Sequence, residues 1–457
     1  METYYKIFEK FYITYHRNRF YYEQGLNTIT GFFEERVGET QYNFWITKLD
    51  HIKKFYKEGT ILAPIKLPTN DLDFQMTKHD NYWRSNKIII CEEYSLYDIK
   101  TYEKFGLDIL KNVHIVCCAS RDNNIDFLDW WQDVGLELRY NDRAIEYASA
   151  HGHSTVLDWW LNYGLELKYR EGAIDNASAY GHVNILDWWL NSGLELRYSD
   201  DSIRWASSNG HVNVLDWWLN SGLELRYDEN AISWALSEGQ IKVLDWWLNS
   251  GLELRYGEYA ISWASSNGHS KVLDWWLHSG FELRYCKSAM GYASDTGQVE
   301  VLDWWLKSGL ELRYDIYAVD FASVSGHVNV LDWWLNSGLE LRYSNRAIQW
   351  ASENNQIIVL DWWLKSGLEL RYDAEAINAA IKDNKKECVK WWINSGLDLK
   401  CTTNIIQWAC EKGHVDILEL WYEMKLPFGS VKNALELASE NNHLEIMHWF
   451  EKNGFRQ

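Results

Sequence analysis

The tetrapeptide Leu-Asp-Trp-Trp begins at Leu128, Leu157, Leu186, Leu215, Leu244, Leu273, Leu302, Leu331 and Leu360, every 29 residues and without one insertion or deletion. Drifted copies keep the register at Val389-Lys-Trp-Trp, Leu418-Glu-Leu-Trp and Met447-His-Trp-Phe, so twelve repeats run over residues 112–457. So short a fixed period cannot close a core within one repeat. Each repeat has to bury its apolar face against its neighbours, which predicts a solenoid with long open surfaces and favours binding over catalysis.

One repeat reads as helix, turn, helix and a short extended connection. In Asn141–Tyr169 the first position is a helix cap, and down the array it is mostly a side chain that accepts from free helical N–H groups: Asn141, Ser199, Asp228, Asp315, Ser344, Asp373 and Thr402, against Arg170, Gly257 and Cys286. The first helix is expected to bury Ala144, Ile145 and Ala148 together with the aromatic that usually stands at the Tyr147 position. It should stop at Gly152, where all twelve repeats carry glycine or asparagine, the residues that best tolerate a left-handed conformation. In the second helix, Val156, Leu157, Trp159, Trp160 and Leu161 cover roughly 200° of a helical wheel, an apolar face broad enough to be packed on both sides. Gly-Leu-Glu-Leu-Arg-Tyr connections follow, in which Glu137 and Arg139 sit two apart and can compensate each other.

Ahead of the array, residues 1–94 form an aromatic-rich mixed α/β module. Helical patterns fall at Tyr4–Tyr22 and Ile46–Lys57, with strand-like stretches at Phe74–Thr77 and Asn86–Ile90. Residues 95–111 read as a degenerate half-repeat, because Gly106-Leu-Asp-Ile reproduces Gly-Leu-Glu-Leu one period before Gly135; Ser95-Leu-Tyr-Asp98 fits a capping box that opens its helix. The simplest role of the module is to cover the first repeat, as the last repeat, which lacks its connection, would cap the other end.

Ala144, Ile145, Ala148, Ser149, Gly152, His153, Val156, Leu157, Trp160, Leu161, Gly164 and Leu165 together resemble the ankyrin repeat, whose helices carry alanines, a Gly-His turn and a Val-Leu face. The chain departs from that pattern in lacking Thr-Pro, in a Trp-Leu pair for Leu-Leu, and in a period of 29 for ankyrin's 33. The missing residues fall in the finger between Tyr169 and Ala173, so short fingers without regular hairpins are expected. With its Trp-Trp pair the chain resembles the divergent ankyrin-repeat proteins of giant amoebal DNA viruses, of the mimivirus type. The likeness extends into the module through Ile65–Met76 and Trp83–Ile90. What the resemblance implies is an all-α ankyrin-like solenoid, a protein-interaction role, and an intracellular place of action in the host cytoplasm.

Three regular rows invite sharper readings. The tryptophan pairs could stack on sugars or cages of cations, but both lie within the apolar arc, where a buried aromatic contributes on the order of 2–3 kcal/mol, and core packing explains them. His153, His182, His211, His269, His327, His414 and His443 could suggest metal; yet stacked helices lie about 8–10 Å apart and Gln240, Gln298 and Gln356 replace histidine in the row, so a side chain bonding a neighbouring loop accounts for both. Asp129 and its counterparts at 29-residue intervals read as a solvated outer face. No nucleotide, metalloprotease or hydrolase motif occurs, and no catalytic, cofactor-binding or metal-ligating residues are assigned. The seven cysteines, including Cys117-Cys118, are scattered and read as reduced packing residues. A net charge of −20 disfavours nucleic acid, and no apolar run approaches a membrane span.

Binding is then expected where repeats differ. The candidate partner-reading stripe, at the finger and the exposed end of the first helix, comprises Asp142, Arg143, Glu171, Tyr180, Asp200, Asp201, Glu229, Glu238, Glu258, Tyr259, Lys287, Ile316, Tyr317 and Arg346. Its acidic first part suits a protein partner with a basic patch, and its later part an apolar contact near Tyr259, Tyr317 and Arg346. Two alternatives stand beside this scaffold reading: an adaptor that hands its partner to a ubiquitin ligase or other effector through the N-terminal module, and a carbohydrate-binding protein with exposed tryptophan. Oligomeric state is not legible.

Overall fold

The computed structural model describes residues 3–9, 11–13, 19–28, 43–164, 167–400, 405–426 and 430–455. The chain packs as two compact bodies, residues 1–206 with 213–226, and residues 207–212 with 227–457. Both are built from stacked two-helix repeats, an α solenoid, and the N-terminal body adds a sheet module.

Among the described residues that module has ten strands: β1 (Tyr4–Phe8), β2 (Phe11–Ile13), β3 (Arg19–Tyr21), β4 (Gly25–Thr28), β5 (Phe44–Thr47), β6 (Ile61–Lys66), β7 (Met76–Lys78), β8 (Tyr82–Ser85), β9 (Lys87–Ile90) and β10 (Tyr94–Ser95). The main sheet has the order β4-β9-β6-β1-β5-β8-β7, antiparallel throughout, with β10 on β6; β2 and β3 pair apart. Tyr4, Phe8, Phe44, Ile46, Ala63, Ile65, Ile88 and Ile90 form its core. Over Tyr4–Tyr22 the sequence reads as helix, but Tyr4–Phe8, Phe11–Ile13 and Arg19–Tyr21 are strands, and residues 10 and 14–18 lie outside the described residues. Tyr-Tyr-Lys-Ile-Phe is aromatic and β-branched, and pairing with β5 and β6 on its two edges decides its state. Ile46 and Thr47 likewise end a strand, and only Leu49–Glu58 is helical, of 3-10 type. The capping box also shifts: Ser95 ends β10, and the helix Ile99–Phe105 is capped by Asp98, which accepts from Lys100 N at 3.0 Å. Arg121 on the first repeat ties the module down, reaching Glu9 and Asp122 at 2.6 Å each, while Tyr97 donates to Asp122 at 2.7 Å.

In each repeat the two helices match Arg143–Ala150 and Ser154–Asn162. Asn141, Ser199, Asp228, Asp315, Ser344 and Asp373 each accept from the N–H two residues on. The turn residue has φ between 54° and 85° in all twelve repeats, from Asn123 to Asn442. Glycine has a second reason there. A Cβ on Gly152 would lie 2.9 Å from Nδ1 of His182, whose other ring nitrogen bonds the Ala150 carbonyl at 3.0 Å. His153, His414 and His443 make the same bond to the loop one repeat back, and Gln240 and Gln356 reproduce it. Among the described residues no strand follows Ser95, so the short fingers form no hairpins.

The second helix departs from expectation in an informative way. Only the second tryptophan of each pair is buried; the first is half-exposed and Leu161 is 37% exposed. The apolar arc is wider than the seam between neighbours, and the first tryptophan stands at its rim, edge-on to the second at 5.2 Å for Trp159 and Trp160. An indole suits a rim, since its N–H can turn to a polar partner. That partner is the aspartate one repeat back, so the outer acidic row is not merely solvated: Trp159 donates to Asp129 at 2.8 Å, Trp188 to Asp158 and Trp217 to Asp187 at 2.7 Å in the N-terminal body, and Trp333 to Asp303 at 2.7 Å in the C-terminal one. The buried tryptophan meets a serine of the preceding first helix. Trp160 donates to Ser120 at 2.9 Å and Trp334 to Ser294 at 2.9 Å, and each hydroxyl spends its own proton on a carbonyl four residues back.

Connections form the third ladder. In the C-terminal body the Tyr314 hydroxyl donates to the Glu340 carbonyl at 3.1 Å, and Arg342 pairs with Glu340, bonds the Tyr314 carbonyl at 3.4 Å and lies 5.1 Å over its ring. Repeats are thus stitched by side chains where hairpins are absent.

Candidate partner-binding face

Three ladders engage much of the second helices and connections, and the candidate stripe lies on the fingers and the outward edge of the first helices. Of the candidate stripe, Asp142, Arg143, Glu171, Tyr180, Asp200 and Asp201 belong to the N-terminal body and the other eight to the C-terminal body. In the first group Asp142 is engaged by Arg170 at 2.7 Å and Asp201 by Arg204, Asp200 is half-buried, and Arg143, Glu171 and Tyr180 are exposed, Tyr180 by 60%. In the second, Glu229, Glu258, Tyr259, Lys287, Ile316 and Arg346 are exposed, while Glu238 and Tyr317 are half-buried. Lys287 is paired with Asp315 at 2.9 Å.

Sequence reading missed the residues beside them. The aromatic at the Tyr147 position is not in the core: Trp234, Tyr292, Phe321 and Trp350 are half-buried and Trp263 is 39% exposed. The wheel carried the signal. With Ala144, Ile145 and Ala148 marking the buried arc, the Tyr147 position lies roughly 100° from its centre, which is a rim. These rings form a row, one per repeat, and each stands four residues after a finger residue on the same helix face. Tyr317 stacks on Phe321 at 5.4 Å, Phe321 faces Trp350 at 6.1 Å, and the Arg346 guanidinium lies 5.5 Å over Trp350 while donating to the Tyr317 hydroxyl at 3.4 Å. Tyr317 and Arg346 are therefore brought together, in one aromatic cluster with Phe321 and Trp350. Lys382 lies 4.3 Å over Trp408.

Below the row, the fourth residue of the first helix reaches the next finger. The buried Asp320 carboxylate accepts from Ser344 N at 3.0 Å and from the Ser344 hydroxyl at 2.5 Å; burial pushes its pKa above the usual aspartate value, and the serine bonds oppose that. Burial pushes Cys118, Cys388 and Cys410 up to about 12.

Residues 377–420 match the family model described as ankyrin repeats in many copies. Over 90 residues, 20% of this chain, an uncharacterized protein of Acanthamoeba polyphaga mimivirus is 41% identical. Another protein of that virus, named as an ankyrin repeat protein, is 28% identical over 90 residues. These matches make the chain similar to divergent ankyrin-repeat proteins of the mimivirus type. The chain spans only 29% and 19% of the lengths of these two relatives. The crystal structure of the human ASB11 ankyrin repeat domain aligns with 41% of this chain and 96% of that domain, at TM-score 0.33 and 16% identity, a likeness too loose to add to the fold described above. Among the described residues no helix is long and apolar enough to cross a membrane.

Proposed function

We propose that this ankyrin-repeat chain is a non-catalytic viral scaffold that binds a host or viral protein through its fingers and the outward edge of its first helices. The observation that carries the reading is the division of the repeat itself. Second-helix and connection residues recur almost verbatim and make most of the bonds between repeats, whereas finger residues differ from repeat to repeat and many of them stand exposed. The charge of −20 and the carboxylates Glu171, Glu229 and Glu258 favour a partner with a basic patch. On this reading the place of action is the host cytoplasm.

The test is affinity purification of the full chain from amoebal lysate, with mass-spectrometric identification. Beside it runs a variant whose residues 228–230, 257–259 and 315–317 are replaced by Ser-Asp-Asp, the tripeptide that stands at Ser199–Asp201 and keeps a cap. A protein retained by the first and lost by the second supports the reading. Equal recovery by both moves binding off the fingers.

A further inference from the structure

In three repeats the tryptophan on the outward edge of the first helix is covered by a cation of the chain itself. Arg204 lies 5.8 Å over Trp205 in the N-terminal body; in the C-terminal one Arg346 lies 5.5 Å over Trp350 and Lys382 lies 4.3 Å over Trp408. These cations come from three places: the residue before the ring, the finger four residues before it, and the end of the first helix one repeat back. At Trp263 the same three places hold Ser262, Tyr259 and Ser237, all uncharged. Among the described residues no cation lies over Trp263, no ring packs on it and its indole N–H has no acceptor, and the residue is 39% exposed.

The finger beside this ring carries negative charge. Glu258 and Tyr259 are exposed on it, one helical turn before Trp263, and the Glu229 carboxylate reaches the same finger, its Oε1 3.8 Å from where a Cβ on Gly257 would lie. On the next finger Lys287 is committed to Asp315 at 2.9 Å. An indole face attracts cations, and carboxylates beside it strengthen that preference. Arg346 shows which cation suits such a place, because its guanidinium lies over Trp350 and still donates to the Tyr317 hydroxyl at 3.4 Å. A planar fork can rest on a ring and keep its edge donors free, where an ammonium is a compact point charge. We propose that Trp263 seats an arginine side chain of a partner protein, guanidinium on the indole face, with Glu229 and Glu258 supplying the opposite charge. This rests on the reading of the fingers and first-helix edge as the protein-binding surface, and names the side chain recognised there and the residue that recognises it.

The probe is the peptide Gly-Ser-Gly-Arg-Gly-Ser-Gly, titrated by NMR into the full chain isotopically labelled at its indole nitrogens; Trp263→Phe assigns the Trp263 signal. That signal should move saturably at millimolar peptide, with several-fold weaker affinity when lysine replaces arginine, and should not move with citrulline, the uncharged isostere. Tyr259→Arg places a guanidinium four residues before the ring, as Arg346 stands to Trp350. It should move the Trp263 signal without peptide and remove the response to peptide. Tyr180→Arg, the same change of charge in the N-terminal body, should leave the response intact. Circular dichroism compares both variants with the parent, and if Tyr259→Arg alters the fold, the lysine and citrulline comparisons on the parent decide. A Trp263 signal that ignores the arginine peptide, equal affinity for the lysine or citrulline peptide, or an undiminished response in a folded Tyr259→Arg overturns the proposal. If Trp263 does not respond while the finger swap still loses a lysate protein, the scaffold reading stands and only the arginine seat falls; if Trp263 responds and the swap loses nothing, the reverse holds.

Discussion

Within one repeat, the second helix and the outward edge of the first helix obey different rules. Along the second helices and connections, large polar side chains recurrently bond a partner one repeat away, as with Trp333 and Asp303, Trp334 and Ser294, or Tyr314 and Glu340. Changing any of these residues strands the other, so repeats drift together or not at all. Along the first-helix edge the partners are local and interchangeable: Tyr317 on Phe321 in one repeat is Arg346 on Trp350 in the next. Near-identity between repeats therefore marks the side that holds the stack together, and variation marks the side that the stack does not constrain.

The largest expected effect lies on the first side. Trp305 is buried and donates to Ser265 at 3.1 Å, so Trp305→Ala should cost about 3–5 kcal/mol in urea unfolding. Trp263→Ala, at the exposed edge, should cost no more than about 1 kcal/mol. Equal losses would erase the distinction between the two faces.

The serine position is Leu236, Ile381 or Cys410 in three repeats, and the first of these shows what the stack requires. Leu236 stands where most repeats have the serine, and Trp276 donates instead to the Tyr256 hydroxyl at 3.1 Å, with that tyrosine turned inward against Phe281. Tyr256→Phe would leave a buried indole N–H unpaired and should cost about 1–3 kcal/mol, whereas Tyr285→Phe, whose hydroxyl bonds an exposed carbonyl, should cost about 1 kcal/mol or less. Adding Leu236→Ser to Tyr256→Phe should recover part of the loss. Additive losses in the double variant would show that the indole does not need its acceptor. Smaller still is the rim: Asp332→Ala removes the acceptor of Trp362, 2.6 Å away, but the indole can turn to water, so thermal denaturation should show a loss of about 0.5–1 kcal/mol.

Most of the array was legible because periodicity, caps and turn residues all repeat: twelve glycine or asparagine turns locate the helices before any contact is known. What the wheel blurred were rims. Trp159 and the Tyr147 position both sit at the edge of an apolar arc, where residue type says buried and geometry says half-exposed. The first was consequently assigned to the core and the second left out of the candidate face. The module was harder for a different reason. Whether Tyr4–Phe8 is strand or helix depends on partners at Phe44–Thr47 and Ile61–Lys66, far along the chain, and no local period reports them. Ser95 and Asp98 compete as caps, and only the pairing of Ser95 with Ile61 settles which one opens the helix.

Asp320 tests whether the first-helix contacts beneath the variable edge belong with the stitched side or the free one. Its carboxylate is buried against Ser344 of the next finger, and burial raises its pKa above the aspartate value of 3.8. As pH falls, the folded chain takes up this proton before the unfolded chain does. Through the window from 3.8 up to the raised value, this group's contribution to stability therefore declines as pH rises, and above the window it is a constant deficit. Asp320→Asn keeps an acceptor for Ser344 N and carries no charge. It should be at least as stable as the parent at neutral pH, with the advantage shrinking as pH is lowered through that window; urea midpoints of both chains across the acid range measure it. A variant less stable by the same amount at every pH would mean that the bonds to Ser344 outweigh the desolvation, and would move this contact to the stitched side of the repeat.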